Sequence, residues 1–148
     1  MRRRNLLQLA LALTPASLVA ARAQAATPAT PDAAKVVYHL ADLDKVDFVL
    51  GNIANHYKGM GGPENVTIAL VIHGPALKAF HTANASPDMA KRVSEFVKSG
   101  FAPNACIHTM KSQNVTLGDL LPGFAVADKG GVVRLAQLQA QGYAYLRP

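Results

Sequence analysis

Val66-Thr67-Ile68-Ala69-Leu70-Val71-Ile72 is a near-continuous apolar run, and His73-Gly74-Pro75 ends it. A strand with one wet face alternates polar and apolar residues. A run that is apolar at almost every position fits a strand covered on both sides, as in the middle of a parallel sheet with helices above and below. The segments around it should then alternate between strand and helix.

They do. Upstream, Lys35–Leu40 is short and rich in β-formers (Val36, Val37, Tyr38). Between the two runs, Asp44–Met60 carries Val46, Val49, Leu50, Ile53, Tyr57 and Met60, a spacing that draws one stripe down a 3.6-residue helix. Gly59-Met60-Gly61-Gly62-Pro63 stops it. Downstream, a short helix is expected over Ala76–Thr82. Ser86-Pro87-Asp88 then forms a helix start: the serine can cap free N–H groups, the proline suits the first turn, and the aspartate favours the positive end of the dipole. The helix it opens should bury Met89, Ala90, Val93, Phe96 and Val97 and close at Gly100. Phe101–Ile107 is predicted as a third strand despite Pro103, and Phe124–Ala127 as a fourth. Val132–Gln141 is the last helix, and Tyr143–Leu146 the fifth strand. The predicted fold is a flavodoxin-like three-layer α/β sandwich with a mainly parallel five-stranded sheet, occupying residues 35–148.

Residues 1–25 read as a secretory signal: Arg2-Arg3-Arg4, an apolar stretch to about Ala21, and small residues in two A-x-A patterns, Ala21-Arg22-Ala23 and Ala23-Gln24-Ala25. Thr14, Pro15 and Ser17 interrupt the stretch, which is shorter than the roughly 20 apolar residues a membrane span wants. No stable membrane anchor is therefore expected after cleavage. Arg3-Arg4-Asn5-Leu6-Leu7 resembles a twin-arginine signal, with Leu6 where that pattern favours Phe. Residues 26–34 form a flexible leader. The expected location is the periplasm, or otherwise outside the cytoplasm.

The signal also accounts for most of the charge. The 148-residue chain has 15 basic and 9 acidic residues, but Arg2, Arg3, Arg4 and Arg22 lie in the signal. The remaining 11 basic residues leave the mature protein at +2, which removes the case for a nucleic-acid partner. One cysteine cannot form an internal disulfide, so the exported domain must hold together by packing.

In open α/β sheets, sites form outside the carboxyl ends of the strands. Those ends carry His39, His73, and Cys106 with His108. Three consecutive strands thus bring a histidine or cysteine to one edge. A free thiol with a pKa of about 8.5 is only slightly ionised at neutral pH, so chemistry at Cys106 needs a lowered pKa. N–H groups of the following turn, a protonated histidine or Lys111 could supply it. The alternative is a cysteine that merely fills space. There is no C-x-x-C, H-E-x-x-H or G-x-S-x-G, the glycines at 59, 61 and 62 follow a helix, and no cofactor is expected.

Six stretches together resemble the DsrE/DsrF-like sulfur-relay proteins, in their exported branch. They are Val36-Val37-Tyr38-His39-Leu40, Leu50-Gly51-Asn52-Ile53-Ala54-Asn55-His56, Ala69-Leu70-Val71-Ile72-His73-Gly74-Pro75, Asn104-Ala105-Cys106-Ile107-His108-Thr109-Met110, Thr116-Leu117-Gly118-Asp119-Leu120-Leu121-Pro122-Gly123 and Gln141-Gly142-Tyr143-Ala144-Tyr145. The resemblance spans essentially all of residues 35–148. It implies a flavodoxin-like fold, a trimer-based oligomer of like or related subunits, and a strand-three cysteine, Cys106, that carries sulfur as a persulfide in sulfurtransferase-like fashion. His39, His73, His108 and Asn104 are the supporting candidates. Phe48, Asn52, Asn55 and His56, largely off the apolar stripe of the first helix, are candidates for the subunit contact. Two alternatives stand beside this. Cys106 with His39, His73 or His108 could hold a soft metal such as copper or zinc in a binding protein, or the chain could be an oligomeric scaffold with an inert thiol.

Overall fold

The computed structural model describes residues 33–148; the expected signal peptide and most of the leader lie outside them. Five strands form one sheet: β1 (Ala34–Leu40), β2 (Val66–Ile72), β3 (Ala102–Cys106), β4 (Ala125–Ala127) and β5 (Ala144–Leu146). Four α-helices connect them: α1 (Val46–Gly59), α2 (Pro87–Lys98), α3 (Ile107–Ser112) and α4 (Gly131–Ala140). The sheet order is β4-β3-β2-β1-β5, and every pairing is parallel. The sheet is thus wholly rather than mainly parallel. Among the described residues no helix is long and apolar enough to cross a membrane.

The run that opens the sequence is the sheet's central strand. Every residue of β2 except Thr67 is buried, and Ile68, Leu70, Val71 and Ile72 are wholly covered. The two faces are unequal. Val36, Tyr38, Leu40, Ile68, Leu70 and Ile72 pack with α1 and α2 in the larger core, together with Phe80, Phe101 and Phe124. Val37, Ala69 and Val71 face the other way and meet only Leu135 and Leu138 of α4, with Tyr143 at the margin. Among the described residues one helix covers that face.

Local choices explain the elements. Ser86 caps α2, its hydroxyl accepting the Met89 N–H at 3.1 Å. Of the residues expected under α2, Met89 and Val93 are buried, while Ala90, Phe96 and Val97 are partly so. The expected short helix over Ala76–Thr82 is a 3-10 segment, Gly74–Phe80, which buries Ala76, Leu77 and Phe80. Pro103 does stand in a strand. β4 reaches β3 only from Asn104 onward, so at Pro103 the strand has a neighbour on one side only, and the missing donor is tolerated.

The topology fixes where a ligand can sit. The chain steps β1, β2, β3, β4 in one direction with α1 and α2 on one face, then α4 crosses the opposite face to place β5 beyond β1. α3, whose Met110 joins the larger core, leaves β3 toward one face, and α4 leaves β4 toward the other. The ends of β3 and β4 therefore part, and a crevice opens between them. Cys106, the last residue of β3, pairs with Ala127 at this point.

Because α4 alone seals one face among the described residues, truncating its buried Leu138 should be costly. Leu138→Ala is expected to destabilise the domain by about 2–5 kcal/mol in urea titration. Ser86→Ala, which removes only a cap, should cost about 1 kcal/mol.

Candidate functional site

Cys106 ends β3 and is also the residue before the first turn of α3. Its side chain lies on the α4 face of the sheet, in the same alternation as Asn104, and is 6% exposed. The thiol would be pushed up by burial, but hydrogen bonds outweigh that. The N–H groups of Thr109, Gly131 and His108 and the Thr109 hydroxyl converge on the sulfur and hold the thiol below its ordinary value. The same Thr109 oxygen accepts the N–H of Gly74 at 2.9 Å, so the end of β2 is tied through it to the sulfur.

One donor comes from a different element, at the first residue of α4. Gly131 stands close to both strand ends: a Cβ there would be in ordinary contact, 3.4 Å, with the Cβ atoms of Cys106 and His73. Gly130 before it has φ +96°, a left-handed conformation that favours glycine, and a Cβ on it would press to 2.9 Å from the His108 ring. This glycine pair brings the first turn of α4 to the thiol. Between them His73, Cys106, His108, Lys129, Gly130, Gly131, Val132 and Val133 line a cleft of about 270 Å³.

His39 is the next-to-last residue of β1 and His73 directly follows β2, and the strand order sets the two imidazoles side by side. Their Nε2 atoms are hydrogen-bonded to each other, edge to edge, with ring planes 20° apart. The other nitrogen of His39, Nδ1, lies 2.6 Å from the hydroxyl of Tyr145 on β5. Burial, then the charge of His73 and of Arg147, lowers the pKa of His39 to about 4, against a smaller opposing pull from Asp42. Burial first, then Arg147, also lowers that of His73. Both rings are therefore neutral at pH 7. The protonated histidine considered from sequence as a source of charge for the thiolate is not available at these positions; the stabilisation comes from N–H and O–H donors.

Three of the sequence-derived candidates, His73, Cys106 and His108, meet in the cleft, and His39 stands behind His73. Asn104 does not join them. It is buried beneath α4, where its amide oxygen accepts from Arg134 Nε at 3.2 Å, and it lines an adjoining groove. Phe48, Asn52, Asn55 and His56 lie on α1, across the sheet from Cys106. Phe48 is 56% exposed, whereas half-buried His56 is tied to β1 by a 2.9 Å bond to the Tyr38 hydroxyl. Among the described residues no group of three or more His, Cys, Asp or Glu is arranged to hold a metal ion. Sequence inspection passed over Thr109, Gly130, Gly131 and the hydroxyl of Tyr145. A tandem glycine between a strand and a helix was the available signal for two of them.

No protein-family model and no curated protein matches the chain. Solved structures do. A protein of unknown function, MTH1491 from Methanobacterium thermoautotrophicum, is 26% identical with a TM-score of 0.68, over 78% of this chain and 99% of its own. The ychN protein from E. coli is 11% identical with a TM-score of 0.55, over 77% of this chain and 99% of its own. The chain has a DsrE-like α/β fold.

The lowered pKa of His39 makes a prediction about stability. The unfolded chain takes up this proton near the ordinary value of about 6.5, the folded one only near 4. Stability from this group is thus present above about 6.5 and is lost as pH falls toward 4. His39→Gln should flatten the decline of the urea midpoint across that window.

Proposed function

We propose that this is an exported sulfur-handling protein in which Cys106 carries sulfur as a persulfide. The observation that carries the reading is the set of donors on the Cys106 sulfur, which favours a thiolate in a cleft rather than an inert filler. The DsrE-like fold is a second support. Loading proceeds by attack of the Cys106 thiolate on the outer sulfur of a donor persulfide, R–S–SH. A sulfur–sulfur bond forms at Cys106 as the donor's own breaks, R–S⁻ leaves, and no net oxidation or reduction occurs. Unloading repeats the exchange: an acceptor thiolate attacks the outer sulfur of Cys106–S–SH and returns the Cys106 thiolate. Val132 and Val133, 71% and 42% exposed on the cleft's rim, offer an apolar border for the donor or acceptor.

The chain works as an oligomer of like or related subunits in this reading, with the exposed Phe48 side of α1 at the contact, and it works outside the cytoplasm, as its N-terminal sequence argues. Native mass spectrometry of protein recovered from the exported fraction tests both at once. Subunits beginning at Gln24 or Ala26, in particles of more than one copy, are expected. Intact Met1, or a monomer at about 100 μM, where even micromolar affinity would assemble it, would count against export or assembly respectively.

The thiol is tested directly. The alkylation rate of Cys106 should rise with pH around a midpoint clearly below the ~8.5 of a free thiol, and incubation with a persulfide donor should add one sulfur, +32 Da. Thr109→Val removes the hydroxyl donor and should move the midpoint upward, whereas Thr109→Ser should not. A thiol alkylated only after denaturation would rule the carrier out.

A further inference from the structure

The hydrogen-bonded series Tyr145–His39–His73 begins on the exposed edge strand and ends in the cleft beside Cys106, and nothing in persulfide chemistry as written above uses it. Two neutral imidazoles joined through their Nε2 atoms cannot choose their protons independently, because one Nε2 must carry hydrogen and the other must not. If the Tyr145 hydroxyl donates to His39 Nδ1, then His39 Nε2–H donates to His73 Nε2, and the proton of His73 sits on Nδ1. If His39 Nδ1–H donates to the Tyr145 oxygen instead, His73 Nε2–H donates to His39 and His73 Nδ1 is bare. Nε2 being engaged by His39, Nδ1 is the His73 nitrogen not used within the series, on a side chain that lines the cleft. Its protonation is thus set at a hydroxyl two residues away in the series, on a side chain 40% exposed.

We propose that Tyr145, His39 and His73 form a proton wire between solvent and the Cys106 cleft, whose two tautomeric states serve the two halves of sulfur transfer. The destination of the proton rests on the persulfide reading; the wire itself does not. In the loading step His73 Nδ1–H protonates the departing R–S⁻. The His39 Nε2 proton moves to His73 Nε2, the Tyr145 proton moves to His39 Nδ1, and water reprotonates the Tyr145 oxygen. One proton has passed from solvent to the leaving thiol and no electron has changed hands. His73 Nδ1 is now bare, the state needed to take the proton from an acceptor thiol before its attack. Running backwards, the wire returns that proton to water through Tyr145 and resets the first state. His73 is the member of the series that lines the cleft with Cys106; His39 and Tyr145 act through it.

Several features fit this role. The rings are nearly coplanar, the geometry for transfer along the N–N line. Both are held neutral, so neither end traps the proton. The flanking charges, Arg147 and Asp42, form an exposed ion pair at 3.4 Å and leave the His39–Tyr145 bond intact.

The test compares the mature protein with Tyr145→Phe, which removes one oxygen from an exposed strand. Nitrogen-15 NMR of the histidine rings at pH 7 reads the tautomers, and stopped-time mass spectrometry with a glutathione persulfide donor reads loading. In Tyr145→Phe the Nδ1 and Nε2 shifts of His73 should move toward the other tautomer, although Tyr145 does not touch that ring. Loading should slow about tenfold, and about a hundredfold in His73→Gln, the lower end of what a positioned proton donor supplies. Unchanged His73 shifts in Tyr145→Phe overturn the wire whatever the loading result. Moved shifts with an unchanged loading rate overturn its part in transfer. Moved shifts in a protein that takes up no sulfur at all uphold the wire and overturn the persulfide reading.

Discussion

The close approach of one helix to two strand ends governs the rest of this site. A thiolate buried to this degree is unfavourable without donors aimed at it. One of those donors, the N–H of Gly131, belongs to a helix that starts 25 residues after the cysteine in sequence. That approach depends on Gly130, where a Cβ would press to 2.9 Å from the His108 ring, and it brings Gly131 to within ordinary contact, 3.4 Å from an added Cβ, of Cys106 and His73. It also needs the departure of α3 and α4 toward opposite faces. The fold and the thiol's chemistry are linked through this single contact.

The electrostatics of the cleft follow from the same compactness. Desolvation acts on Cys106, His39 and His73 with opposite consequence: it raises the thiol and lowers these two histidines. The thiol escapes because dipoles are aimed at its charged form. The imidazoles are given each other, a tyrosine hydroxyl, the repulsion of Arg147 and a smaller opposing pull from Asp42, and stay neutral. A thiol held below its ordinary value and two neutral rings at neighbouring strand ends suit nucleophilic exchange with proton movement better than they suit a charge relay.

Much of this could be read from the amino acids alone. β2 was bounded to the residue because an apolar run buried on both faces has no competing pattern, and Ser86-Pro87 announced α2 through capping chemistry that tertiary structure did not override. Strand ends placed His39, His73 and Cys106 at one edge. What could not be read is order and approach. The position of β5 beside β1 is a property of the assembled sheet, so the partnership of Tyr145 with His39, 106 residues earlier, left no local trace. Gly130 and Gly131 have no side chains to create a periodic signal, and the helix accordingly looked as though it began at Val132. The neutrality of the histidines depends on burial that only packing defines.

The outer position of β5 bears on the order in which the molecule is made. Strands β1 to β3 are joined to neighbours that follow them closely in the chain, but β5 must find β1 across nearly the whole domain, Val36 opposite Ala144. Long-range pairings of this kind close late, because loop entropy is spent before their contacts form. The domain therefore completes its site last, with the arrival of Tyr145. On the export proposed above, a chain crossing a membrane unfolded would carry a cysteine and two histidines that had not yet met their tyrosine. On the same proposal, a chain crossing already folded would take the finished arrangement with it.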